Sequence, residues 1–458
     1  MAKVIIDRLN EGQRNLKSTT IQNAFSRFFG RVISLFHEKI FHEPAGEEMI
    51  KFVRNLSYVG LGTIFASIFS FSYNIIAGRV LGPSGYGGFT LVQSIAMFLY
   101  IPMLLGLNTA MIKYCAENKD QHQQRRIIST AFVATTCLTI VSLMLYSIFR
   151  YQIAAVFSVD QEIIVLSIIF AVLFVFYTLA TSSLRGLHLM KDYAVFQPIY
   201  GIIPLLALLV FIYIQFNSFK AMVYATYLTY GVVGFIIILR FLKQYLTFTI
   251  DRSWLSTLWK YSSVAVIGGL SFTLYTNIDR IMINNYMDVE SVGVYGVYYY
   301  ASFTVLTLVS GIFTTVFFPT ASKLHDKSSL YVRLNKIVPY LLILGLPVAL
   351  IGEYAILRLF GEDYPIQLPL MLIFAVAAIL VTWYGVYAWF FNSEGIEGAK
   401  LTVSGTLIIA IANIILNAIL IPQIGLYGAI GATALAFALG LCYNFYRGKR
   451  FFNCKTGS

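Results

Sequence analysis

LTVSGTLIIAIANIILNAILIPQIGLYGAIGATALAFALGLCYNFY (401–446) is a 46-residue segment without one Asp, Glu, Lys or Arg. About 20 apolar residues carry a helix across a bilayer, so the segment is two spans long. Pro422, Gly425 and Gly428 mark where it turns. Hydrocarbon offers a backbone amide no water to bond, so runs of this kind must satisfy themselves as α-helix. The pattern repeats along the chain. Runs poor in charge lie at about 55–77, 88–112, 127–149, 163–184, 193–215 and 221–239 in the first half. The second half gives about 261–283, 294–318, 337–357 and 367–391, then 401–421 and 425–446. The expected fold is all-α: a polytopic membrane protein of about 12 transmembrane helices. The seventh span is the least regular, since it holds Asp279 and Arg280.

Composition agrees. Of 458 residues, 58% are hydrophobic and 12% charged, about half the ~25% charge of a soluble protein. An ordinary soluble enzyme, a disordered chain and a disulfide-built domain are all excluded. The four cysteines (Cys115, Cys137, Cys442, Cys454) have no metal-ligand or disulfide-framework spacing, so no metal site is expected. There is no HExxH motif and no G-x-x-x-x-G-K-[ST] phosphate loop. With connectors too short for a catalytic domain, no enzymatic activity and no catalytic residue are expected. Residues 1–54 are polar and basic, which is not the pattern of a cleavable signal peptide.

The net charge of +12 follows the membrane topology. Taking connectors alternately, the side bearing both chain ends carries 28 Lys and Arg and the other side carries 5. Positive residues favour the cytoplasm, so both termini are expected there, in a multi-pass protein of the cell membrane. Basic clusters that flank spans face anionic lipid headgroups rather than nucleic acid.

Four regions are expected: a cytoplasmic arm (1–54), two six-helix bundles (55–245 and 246–446) and a basic tail (447–458). Within the arm, Ile21, Phe25, Phe28, Val32, Phe36 and Ile40 recur every 3 or 4 residues between polar ones. That describes an amphipathic helix, lying in the membrane interface or packing on a protein surface. The bundles look like a repeat. Ser72-Tyr73-Asn74-Ile75 aligns with Tyr275-Thr276-Asn277-Ile278 at an offset of 203, and Gly85-Tyr86-Gly87 with Val294-Tyr295-Gly296 at 209. Two pseudo-symmetric six-helix halves related by an axis along the membrane normal are a transporter architecture.

Four stretches carry a resemblance. YNIIAGRVLGPSGYGGFTLV (73–92), NIDRIMINNYMDVESVGVYGVYYYASF (277–303), LFGEDYP (359–365) and NIILNAILIPQIGLYGAIGATALA (413–436) resemble the polysaccharide transporter family. These are the repeat-unit flippases of the multidrug/oligosaccharidyl-lipid/polysaccharide superfamily. The resemblance covers roughly 55–446, and the arm departs from it. It implies movement of an isoprenoid-phosphate-linked oligosaccharide from the cytoplasmic to the outer leaflet by alternating access. Implied partners are membrane lipids and the polymerase or glycosyltransferases of the same pathway. No cofactor is implied beyond a coupling H⁺ or Na⁺. Two alternatives stay open: a cation-coupled multidrug exporter of the same superfamily, and a non-transporting scaffold for glycan assembly.

Charges kept inside spans mark candidate sites, since each costs about 2.5–3.5 kcal/mol on insertion scales. Arg79 and Arg280 are candidates to grip a phosphate, which guanidinium meets with a forked pair of donors. Asp279 then prevents permanent anion capture or takes a coupling cation. The plainer reading has Arg79 snorkelling and Asp279–Arg280 as a structural pair. Asn413 and Asn417 share a helix face at i and i+4; with a nearby carboxylate they suit a hard cation, or they bond between helices. Arg185, in Ser-Leu-Arg-Gly, is the candidate to meet an arriving headgroup. The tyrosines of 295–300, with Trp254 and Trp259, read as interfacial belt.

Overall fold

The computed structural model describes residues 47–247, 249–304, 306, 328–392, 394 and 396–456. The amphipathic stretch at 20–41 lies outside them. Among the described residues the helices follow in the order α1 (Glu47–Leu104), α2 (Leu107–Glu117), α3 (Gln121–Ile148), α4 (Arg150–Phe157), α5 (Gln161–Gly186), α6 (Met190–Tyr213) and α7 (Phe219–Ile237). A π-helical turn, Ile238–Leu242, ends α7. Then come α8 (Arg252–Tyr286), α9 (289–304), α10 (Ser328–Phe360), α11 (Leu368–Asn392), α12 (Ile396–Ile424) and α13 (Leu426–Thr456). Each expected span falls on helix in its place, the eighth being described only as far as 304. Among the described residues, 8 helices are long and apolar enough to cross a membrane.

Boundaries moved where charge had been read as an end. Helix α1 holds two spans joined at a single residue, Gly82, with φ 66° and ψ −179°. That conformation belongs almost exclusively to glycine, and Pro83 then opens the second segment, where its missing N–H is no loss. The expected connector around Arg79 is therefore helical. Residues 47–54, which the sequence reading places in the arm, are already part of α1. The basic tail is no free extension either: α13 continues to Thr456. Where the second span ends, Leu105 (φ 43°) and Gly106 (φ 75°) kink the chain into α2.

Two faces can be distinguished. On the one from which α1 starts, Asp251 caps α8, accepting from the N–H of Ser253 (2.9 Å) and Trp254 (3.1 Å), and pairs with Arg126. The Trp254 amide, with the Arg126 charge, holds that carboxyl below the usual carboxylate range. Trp254 also donates its indole N–H to Gln123 (3.0 Å) and rests on Tyr114. Its expected role as a belt residue is thus replaced by a tie between the halves, while Trp259 is half-exposed.

On the opposite face the halves meet at backbone distance. A methyl group at Gly87 would stand 1.9 Å from the Val289 carbonyl oxygen, and one at Gly293 1.9 Å from that of Pro83. The contacts are reciprocal, each glycine meeting the residue four before the other. Gly87 and Gly293 are 206 apart in sequence, as are Pro83 and Val289, between the offsets of 203 and 209. Crossings this close need a residue without Cβ and leave room for Cα–H···O contacts. Tyr364 adds a bond to Gly78 O (3.0 Å) and Asn284 one to Ser158 O (3.0 Å). Overpacking of this kind costs about 1–3 kcal/mol, roughly tenfold in a conformational equilibrium. Gly87→Leu or Gly293→Leu should therefore open this face, read as faster labelling of a reporter cysteine at Asn74 by a membrane-impermeant thiol reagent. Unchanged labelling would show that the crossing is not the seal.

Candidate functional site

Between the halves lies a cavity of about 250 Å³. Its wall is dense in tyrosine: Tyr73, Tyr86, Tyr200 and Tyr230 from the first half, Tyr299 and Tyr300 from α9. The belt reading of the 295–300 run is thus corrected. Helix α9 starts just before it, so the run falls in the packed interior of the protein rather than at its rim. Tyr295 and Tyr298 are fully buried, and Tyr299 and Tyr300 face the cavity. Asn74, Thr90 and Gln93 add amide and hydroxyl groups. Their placement is fixed: Asn74 donates to Ser70 O (2.8 Å) and accepts from the Tyr86 hydroxyl (2.9 Å).

Arg280 is the one charged side chain on this wall among the described residues. Its guanidinium lies 4.8 Å over the Tyr299 ring, and Nη1 donates to Thr276 O (3.1 Å). Its Nε is buried without a hydrogen-bond partner. A cation held on an aromatic face with a donor to spare is prepared to receive an anion.

Asp279 turns the other way. Neighbours on a helix diverge by about 100°, and no ion pair joins Asp279 to Arg280 among the described residues. The structural-pair alternative is thereby removed. The carboxylate is buried inside the second half and accepts from Tyr295 Oη (2.5 Å), Thr433 Oγ1 (2.8 Å) and Asn417 Nδ2 (2.6 Å). Asn413 donates to Thr433 Oγ1 (3.2 Å). The side-chain oxygens of Asn413 and Asn417 are buried without a donor. So α8, α9, α12 and α13 converge on one carboxylate and two amide oxygens, the hard donors that sodium prefers. No three His, Cys, Asp or Glu side chains come together among the described residues.

Sequence reasoning had grouped Asp279 with Asn413 and Asn417, and they do meet. It passed over Tyr295 and Thr433, because a hydroxyl inside a span costs too little to stand out. The three arginines do not assemble. Arg79 is five residues past Asn74, about 140° around the helix, so it is exposed beside Gly361 instead of lining the cavity. Arg185 is exposed in the last turn of α5, where it complements the helix dipole.

The model of a protein family described as polysaccharide biosynthesis protein matches residues 52–325. An uncharacterized membrane protein of Methanocaldococcus jannaschii is 24% identical over 421 residues, 84% of this chain and 82% of that one. Among solved structures, the inward-facing form of a multidrug resistance MATE transporter of the MOP superfamily aligns at a TM-score of 0.63 and 14% identity. It spans 83% of this chain and 94% of its own. The lipid II flippase MurJ in an inward closed conformation aligns at 0.59 and 15% identity, over 85% and 87%. The fold is thus that of the MOP superfamily transporters, and the chain is a multi-pass membrane protein.

Losing a donor to a buried carboxylate costs about 1–3 kcal/mol. Asn417→Leu should lower the thermal midpoint in detergent, and Asn413→Leu, whose amide serves Thr433, should lower it less. The reverse order would refute the network as drawn.

Proposed function

The chain belongs to the family of polysaccharide biosynthesis proteins, and from that premise we propose that it flips an isoprenoid-phosphate-linked oligosaccharide across the cell membrane. The observation that carries the reading is the cavity wall: six tyrosines around a single positive charge. Tyrosine rings pack on the C–H faces of sugars, and their hydroxyls, with Asn74 and Gln93, bond sugar hydroxyls. Arg280 takes the phosphate through the guanidinium edge that lines the cavity. The lipid tail remains in the bilayer between the halves. A cationic drug would meet a lone guanidinium here, which disfavours the exporter alternative.

Arg280 is the phosphate-binding residue of this reading. Arg79 and Arg185 act at most where the headgroup arrives or leaves, at opposite ends of the path. In this reading the face bearing the chain ends is cytoplasmic, which the distribution of 28 against 5 basic residues supports. The Gly87–Gly293 crossing then seals the outer side, and the cavity loads from the cytoplasm. Rocking of the halves breaks the crossing and delivers the headgroup outward. Membrane potential assists, by roughly 2.3 kcal/mol per charge per 100 mV for an anion leaving a negative interior. Asp279, Asn413 and Asn417 take the H⁺ or Na⁺ that resets the empty carrier, with Thr433 as a further oxygen donor. The enzymes that build and polymerise the glycan are its partners in the pathway.

A charge-assisted bond is worth about 1.5–3 kcal/mol, or roughly 10–100-fold in rate. In proteoliposomes carrying a lipid-linked oligosaccharide and a leaflet-specific probe, Arg280→Ala should slow flipping by about that factor, at unchanged protein level. Arg280→Lys should fall between. Full flipping in Arg280→Ala would remove the phosphate assignment, and no flipping by the unmodified protein would favour the scaffold.

A further inference from the structure

Glu353 lies in the ninth span and takes no part in the site described above. It is 0% exposed, and neither carboxylate oxygen has a hydrogen-bond partner. Ala349, Ile356, Leu357 and Phe360, the other buried residues described on that face of α10, are all hydrocarbon. Ionised carboxylates in such a place are heavily penalised, whereas the neutral acid is tolerated.

The groups around Glu353 fit a proton-bearing carboxyl. Ser302 and Tyr298 stand beside it on α9. Ser302 donates its hydroxyl proton to Tyr298 O (2.9 Å), which leaves its oxygen able to accept from a protonated carboxyl. The Tyr298 hydroxyl is fully engaged, donating to Pro365 O (2.5 Å) and accepting from Gln367 N (2.9 Å). Helix α11 contributes an aromatic ring, Phe374, packed on Tyr298 at 5.3 Å. On α10 itself, Arg358 is five residues on and exposed, its guanidinium over Tyr354 at 5.4 Å. No basic group reaches the carboxyl among the described residues.

The surroundings lead to the seal between the halves. Seven residues after Glu353, on the same face of α10, Phe360 stacks edge-on against Tyr86 (5.8 Å) and fills the space over Gly78. The connector that follows is pinned to α9 by Tyr298 and to the first half by the Tyr364–Gly78 bond. Packing of α10 on α9 therefore sets where Phe360 and Tyr364 press on the first half.

We propose that Glu353 is a proton-binding site that controls the seal opposite the chain ends. With the proton bound, the dry seam between α10 and α9 persists and the connector closes over Gly78. When the proton leaves, the carboxylate draws water into the seam, α10 shifts, and the seal releases. The inference rests on the transport reading only for its purpose; the switch itself needs no substrate.

The test uses the full-length protein in proteoliposomes, with a reporter cysteine at Asn74 and the native cysteines replaced. Labelling by an impermeant thiol reagent from the side opposite the chain ends should rise with pH in the parent. In Glu353→Gln the site should stay protected and the pH dependence should be lost. A parent without pH dependence, or a Glu353→Gln variant that keeps it, overturns the proposal. Infrared difference spectra give a second measure that does not depend on opening. A protonated-carboxyl band should be present at neutral pH and missing in Glu353→Gln, and its absence from the parent would equally refute the proton site. If labelling follows pH as expected while the protein that keeps Asn74 flips no lipid-linked sugar, the switch stands and the transport reading falls.

Discussion

Hydrocarbon cannot solvate charge or an unpaired amide, and every feature of this molecule follows from that constraint. It makes the backbone helical throughout the spans and pushes basic residues to the membrane faces. It also means that a charge inside must be held by something. Arg280 is held by an aromatic face and one carbonyl. Asp279 is held by three side-chain donors. Both occupy successive positions on α8, so adjacent residues of one helix face the cavity and an oxygen-rich pocket. What binds at one is mechanically connected to the other by a single peptide unit, which is the minimum physical basis for coupling two ligands.

The hydroxyl and aromatic groups distribute differently. In the first half, Tyr200 and Tyr230 stand within 3.4 Å of one another through their hydroxyls and stack at 5.9 Å. Tyrosines of this kind present rings and hydroxyls together, a surface that is neither greasy nor charged. Such a wall can bond neutral polar groups, and Arg280 is its one charged side chain among the described residues. The second half concentrates its polarity inward, around Asp279, and away from the cavity.

Much of this was legible in the sequence because desolvation leaves a strong mark. Among the described residues the runs poor in charge are helices, and Asp279 bonds Asn417 across 138 residues, because charged or amide side chains at helical spacing within a span have few harmless explanations. Boundaries were less visible. Charge at Arg79 suggested a connector, yet the chain turns on Gly82 alone and the helix absorbs the arginine at its rim. The tyrosines at 295–300 misled for the opposite reason: an aromatic cluster looks alike at a membrane interface and on a cavity wall. Glu353 carried no neighbour in sequence to reveal it, since its surroundings come from α9, some fifty residues earlier. The aligned motifs lie at offsets of 203 and 209, and the two crossing glycines, Gly87 and Gly293, are 206 apart.

The single-residue turn at Gly82 also bears on how this protein meets the world on that side. Three of the connections there are equally spare: Gly82, Met287–Asp288 and Gly425. A face built in this way offers little chain to a protease, an antibody or an inserted tag. Epitopes and reporter insertions are better placed in the connector at 361–367 or beside α4, and limited digestion from that side should leave the chain nearly whole.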